Sequence, residues 1–71
     1  MNTVLIKDEF IKLGQAMKLG GAVDSGSEAK LAVENKEVKV NGEICLERGR
    51  KLKPGDQFSC FGNDYQIHRA S

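Results

Sequence analysis

Four cations fall within six residues at Arg48-Gly49-Arg50-Lys51-Leu52-Lys53, with no acid among them. The chain as a whole has 11 basic and 10 acidic residues and a net charge of +1. Against so neutral a background, a run of this kind makes a local patch. Arginine on a glycine-containing loop suits bidentate contact with phosphate, because the guanidinium fork matches two oxygens at once. The bland alternative is a solvated loop on the wrong side of a sheet. Lys12, Lys18, Lys30, Lys36 and Lys39 are further candidate contacts, although lysines on exposed helix faces most often serve solvation. Ser25 and Ser27 open a predicted helix, whose first backbone amides can receive a phosphate. Asn41 completes the candidate set, but its place in the chain reads first as a turn former.

Other chemistries find little support. His68 is the only histidine and has no serine or cysteine nucleophile at a meaningful spacing, and the carboxylates are scattered singly. No P-loop or dinucleotide fingerprint is present. Cys45 and Cys60 are the only cysteines, too few for a disulfide framework or for a zinc site with paired ligands. Each is expected to be a free, buried hydrophobe in a reducing compartment. At 71 residues the chain has no room for a two-lobed cleft, and a domain of this size buries only about 60% of its unfolded surface. Near the N-terminus the longest apolar run is Val4-Leu5-Ile6, too short for a signal-peptide core or a membrane span. A soluble, cytoplasmic, monomeric non-enzyme is expected, without metal, cofactor, small-molecule substrate or membrane partner.

The elements that must position the basic residues can be read in order. Asn2 to Lys7 reads as a short extended segment with Val4 and Ile6 on one face. Phe10, Leu13 and Met17 recur at helical spacing, with Ile11 and Ala16 widening the stripe, so the first helix is expected over Asp8 to Leu19, ended by Gly20-Gly21. Ser25-Gly26-Ser27-Glu28 is a capping-box pattern, in which Glu28 would reach back to the serine amide. It opens a second helix in which Ala29, Ala32 and Val33 form a stripe suited to close packing on Leu13 and Met17. That helix should stop near Glu34, with Asn35 taking the left-handed turn. Asn41-Gly42 between β-branched runs signals a hairpin with a type I′ turn. Its register puts Val38, Val40 and Cys45 on one face and Lys39 and Ile44 on the other. Pro54-Gly55-Asp56 marks a turn. A strand follows over Gln57 to Phe61 with Phe58 and Cys60 inward, then a turn at Gly62-Asn63-Asp64 and a last strand over Tyr65 to Arg69. Tyr65 and the three phenylalanines fit a core better than a base-stacking platform. The fold class is α+β, two helices packed on a small, mostly antiparallel sheet, in a single domain spanning residues 1–71.

This order of helix, glycine turn, serine-capped helix, hairpin and turn resembles the S-four RNA-binding domain, the αL motif named after a small-subunit ribosomal protein. The resemblance is carried by Leu13, Gly21, Ser25, Ala29-Lys30, Val38-Lys39-Val40-Asn41-Gly42 and Lys53-Pro54-Gly55-Asp56, and its core covers about Phe10 to Cys60. The chain looks most like the small stand-alone bacterial members. Two positions depart from the pattern: Gly26 stands where the family often has an arginine implicated in phosphate contact, and Lys36 where a glycine is frequent. A non-glycine residue held at positive φ there would cost roughly 1 kcal/mol.

The resemblance implies binding to structured RNA, ribosomal RNA first, through the two helices and the start of the hairpin. A-form RNA hides its base edges in a deep, narrow major groove, so such a module is expected to recognise backbone shape, 2′-hydroxyls and a junction or bulge. A second reading, from another class, is a protein-interaction module whose exposed apolar patch is Ile44, Leu46 and Phe61.

Overall fold

The computed structural model describes residues 1–70. Seven strands and two helices follow in the order β1 (Asn2–Ile6), β2 (Ile11–Lys12), α1 (Leu13–Leu19), α2 (Gly26–Glu34), β3 (Val38–Val40), β4 (Glu43–Ile44), β5 (Lys51–Leu52), β6 (Gln57–Cys60) and β7 (Asn63–Arg69). Five strands form one sheet in the order β1-β7-β6-β3-β4, and β2 pairs with β5 in a separate two-stranded ribbon. All pairings are antiparallel except β1 with β7. The expected α+β class, two helices on a mostly antiparallel sheet, is the observed one.

Alternation along the strands divides the sheet into two faces. Val4, Ile6, Val38, Val40, Phe58, Cys60, Tyr65 and Ile67 are buried beneath the helices. The opposite face is left to Lys39, Ile44, Ser59, Asp64, Gln66 and their neighbours. From the helix side come Leu13, Ala16 and Met17 of α1 with Ala29, Ala32 and Val33 of α2, all buried, so the small-residue stripe packs as its spacing suggests. Phe58 and Tyr65 stack across neighbouring strands with ring centroids 4.8 Å apart and planes 10° from parallel.

The first helix is shorter than its periodicity suggests. It begins at Leu13, and Ile11–Lys12 run extended against Lys51–Leu52. The competing interaction is long-range. The N–H of Leu13 donates to the carbonyl of Arg50 at 2.8 Å and that of Gly14 to the carbonyl of Arg48 at 2.9 Å. Loop carbonyls thus satisfy first-turn donors that an upstream helical turn would otherwise have used. Phe10, expected on the helix stripe, is 41% exposed instead.

Both helices end in Schellman motifs. In α1, Gly21 at φ 79° takes the left-handed position, while Ala22 N–H reaches Met17 O and Gly21 N–H reaches Lys18 O. In α2 the same pair of bonds runs from Glu37 to Ala32 and from Lys36 to Val33. The left-handed residue there is Lys36 at φ 61°, not Asn35, which stays at φ −83°. Two bonds and a redirected chain outweigh the unfavourable φ. At the other end of α2, Ser25 Oγ accepts the Glu28 N–H at 3.2 Å. Glu28 reaches back to the Asp24 amide at 3.4 Å, one residue before the expected partner.

The β3–β4 hairpin turns on Asn41 (φ 51°) and Gly42 (φ 88°) in the expected register, with Val40 opposite Glu43 and Lys39 opposite Ile44. The β6–β7 turn lies one residue earlier than expected. Phe61 (φ 52°) and Gly62 (φ 81°) are its central pair, and Asn63 already pairs with Cys60. Cys45 and Cys60 are both buried and free. Cys60 pairs with Val38 from one side, and the Cys45 N–H donates to the Val38 carbonyl from the other. Two strand spacings set them about 9 to 10 Å apart, beyond the reach of about 7 Å for a disulfide.

Candidate nucleic-acid interface

The loop from Glu47 to Arg50 is folded back onto the start of α1 by the Arg48 and Arg50 carbonyls. That fixes its backbone beside α2, whose first turn approaches from the other side. Between them lies an open groove of about 300 Å³ lined by Lys12, Gly14, Gln15, Lys18, Gly26, Ala29, Arg48 and Gly49. Four of these residues are glycine or alanine. Lys12, Lys18 and Arg48 bring three cations from three different elements to its walls, a charge arrangement suited to a polyanion.

The groove unites part of the candidate set and leaves part outside. Ser25 and Ser27 flank Gly26 in the chain but do not line the groove, and the Ser25 hydroxyl already accepts the Glu28 N–H. Lys30 is exposed one helical turn beyond Gly26. Lys51 stands opposite Lys12 in the β2–β5 ribbon, with Arg50 next to it in the loop. Lys53 lies past the ribbon, where its N–H donates to Asp56 Oδ2 at 2.8 Å and its carbonyl accepts the Asp56 N–H, closing a turn over Pro54 and Gly55 (φ 98°). Lys36 is at the far end of α2. Lys39 points to the open face of the sheet, opposite Ser59 and Ile44, away from the helices. Asn41 is bound into the architecture: Oδ1 accepts the Gln57 N–H at 3.0 Å and Nδ2 donates to Asp56 Oδ1 at 3.4 Å.

Several residues of the groove carry no sequence signal of their own. Gly14, Gln15 and Gly49 have no patterned spacing, and Ala29 reads as core. Gly26 was visible only as a departure: a Cβ built there meets nothing within 4 Å, so the missing arginine is what leaves the space open. Phe10, expected in the core, is exposed, Phe61 is exposed as the apolar-patch reading has it, and Phe58 and Tyr65 are in the core.

Among the described residues no buried side-chain nitrogen or oxygen lacks a partner, and no group of His, Cys, Asp and Glu is placed to hold a metal. Burial raises the Cys60 thiol pKa, and Glu37 and Glu28 push it the same way. Among the described residues no helix is long and apolar enough to cross a membrane.

Comparison with known proteins shows the family of the chain. A family model for the S4 domain matches residues 4–68. A probable ribosome maturation protein of Bacillus subtilis (strain 168), RlbA, is 46% identical over 55 residues, 78% of each chain. A putative RNA-binding protein of Escherichia coli (strain K12), YbcJ, is 31% identical over 61 residues, 86% of this chain and 87% of its own length.

Proposed function

We propose that this chain, which belongs to the S4 domain family, binds structured RNA, ribosomal RNA first, through the groove between α1, α2 and the 48–50 loop. The observation that carries this reading is the convergence of Lys12, Lys18 and Arg48 on one open groove from three separate elements. Cations spread for solubility have no reason to share a concave surface. Lys30, Arg50, Lys51 and Lys53 extend the same charge along both sides, and Ser25 and Ser27 offer amides and hydroxyls at the helix start. The names of these relatives, a probable ribosome maturation protein and a putative RNA-binding protein, support the same reading. The protein acts as a cytoplasmic monomer without chemistry of its own, positioning RNA by its backbone and shape.

Mobility-shift titrations across a salt series on ribosomal RNA fragments test this. With about five phosphates neutralised, log K falls against log salt with a slope of roughly 3.5 to 4.5. Lys12→Ala with Arg48→Ala lowers that slope by between about one and two. Binding no stronger than that to albumin, or binding indifferent to salt, overturns the proposal.

A second reading rests on Ile44, Leu46 and Phe61, which are 52%, 60% and 52% exposed. β1 docks on the opposite edge of the sheet and gives them no cover. Concentration-dependent dimers in sedimentation, with no RNA association, would favour a protein-interaction module.

A further inference from the structure

Phe10 and Phe61 are the two aromatics outside both the core and the cationic groove, and of the two only Phe10 has a cation over its ring. Its ring is 41% exposed, against 2% for Phe58, and Lys51 Nζ stands 4.8 Å from its centroid. The β2–β5 ribbon explains the outward position. Ile11 and Leu52 pair on the side facing the core, which sends Lys12 and Lys51, also paired, to the outside. Phe10, two residues before Lys12, follows the same alternation. Behind the ring is an apolar hollow of about 400 Å³ shared with Leu5, Ile11, Gln15 and Leu19. Gln15 lines this hollow and the cationic groove alike, so the two are neighbours divided by one side chain.

We propose that Phe10 is a stacking platform for an unpaired nucleobase of the same RNA whose backbone lies in the adjoining groove. This rests on the RNA-binding reading above and adds to it a recognition element. A cationic track beside an aromatic face is the arrangement that holds single-stranded nucleotides, because every base presents a π surface whatever its sequence. Lys12 and Lys51 supply the track, and Gln15 presents both a donor and an acceptor to a base edge from the dividing ridge. Lys51 Nζ covers one face of the ring in this structure, so a base stacks there only as that flexible side chain swings aside, which frees its ammonium for the base's own phosphate. Lys7 lies on the rim together with Asp8. With Lys12 and Lys51 alongside, the balance of charge fits a polyanion better than a second copy of this chain. The module then prefers RNA with a splayed-out nucleotide over a continuous duplex.

The test uses two RNA hairpins of equal charge, one carrying an adenine bulge with 2-aminopurine at the unpaired position and one fully paired. Wild-type protein is expected to favour the bulged hairpin by roughly tenfold or more and to change the 2-aminopurine fluorescence on binding. Phe10→Ala and Phe10→Leu are expected to lose both the preference and the signal while keeping the salt slope. Phe10→Trp is expected to retain them. Because the side chain is half exposed, thermal melts should show all three variants folded. Equal affinity for both hairpins, or a Phe10→Leu variant that behaves as wild type, overturns the stacking role and leaves the RNA-binding reading standing. Failure of wild-type protein to bind either hairpin or any ribosomal fragment overturns both. Self-association that Phe10→Ala abolishes assigns the hollow to a second copy and overturns the proposal.

Discussion

Gly20 is seated against Val4: a Cβ on Gly20 would lie 2.9 Å from the valine Cγ2 and 3.2 Å from the Ala16 carbonyl oxygen. The end of the first helix and the first strand can approach this closely only without a side chain between them. Gly20→Ala is therefore expected to destabilise the domain by about 1 to 3 kcal/mol, as overpacking does. Gly26→Ala, made where nothing lies within 4 Å, should instead raise stability by about 0.4 to 1 kcal/mol. Urea unfolding of the two variants beside the wild type decides the matter, and equal midpoints would contradict it.

The open position at Gly26 also allows a gain of function. Gly26→Arg places a fourth cation beside Lys12, Lys18 and Arg48 in the groove. RNA affinity should rise most at low salt, and the salt slope should increase by roughly 0.7 to 0.9. An unchanged slope would mean that phosphates do not pass this point.

Lys36 separates folding from binding. Its φ of 61° suits glycine, so Lys36→Gly should stabilise the protein by about 1 kcal/mol. If Lys36 contacts RNA, the same variant binds more weakly although it melts higher. A variant that melts lower would show that the lysine side chain, not the backbone, sustains the end of α2.

Cys60 gives the protein a pH dependence on the alkaline side. Its native pKa is raised by burial, with Glu37 and Glu28 contributing, while the unfolded thiol titrates near 8.5. Below that value both states hold the proton and stability is unaffected by it. Above it the unfolded chain loses its proton first, so stability falls as pH rises toward the native pKa. Denaturation at several pH values should show this decline in the wild type and a shallower one in Cys60→Ala. Thiol-directed labelling of Cys60 near neutral pH should require unfolding.

Local signals in the sequence survived where neighbours alone decide the structure. Asn41-Gly42 formed its turn, Ser25 capped its helix, and Lys53 to Asp56 closed as a type II turn because proline and glycine have the needed dihedrals. Expectations failed where distant residues decide. Phe10 and Ile11 keep helical spacing with Leu13 and Met17, yet the pairing of Ile11–Lys12 with Lys51–Leu52 removes them from the helix. Phe61 accepts a positive φ because its hairpin pairs Cys60 with Asn63, which composition does not reveal. Basic residues were visible in the site, but the groove that joins Lys12, Lys18 and Arg48 depends on absent side chains at Gly14, Gly26 and Gly49. Strand alternation, legible in the hairpin register, puts Lys39 on the face away from the helices, so this candidate contact does not join the groove.

The parallel pairing of β1 with β7 joins Asn2–Ile6 to Tyr65–Arg69, across nearly the whole described length. Contacts so far apart close late, because the entropy of a long loop must be overcome before they contribute. As the chain is synthesised from its N-terminus, Val4 and Ile6 have no sheet to join until β7 emerges, and Gly20 has no strand to lean on. Helices and hairpin are able to assemble earlier, but the core is sealed only when the final strand slides in between β1 and β6.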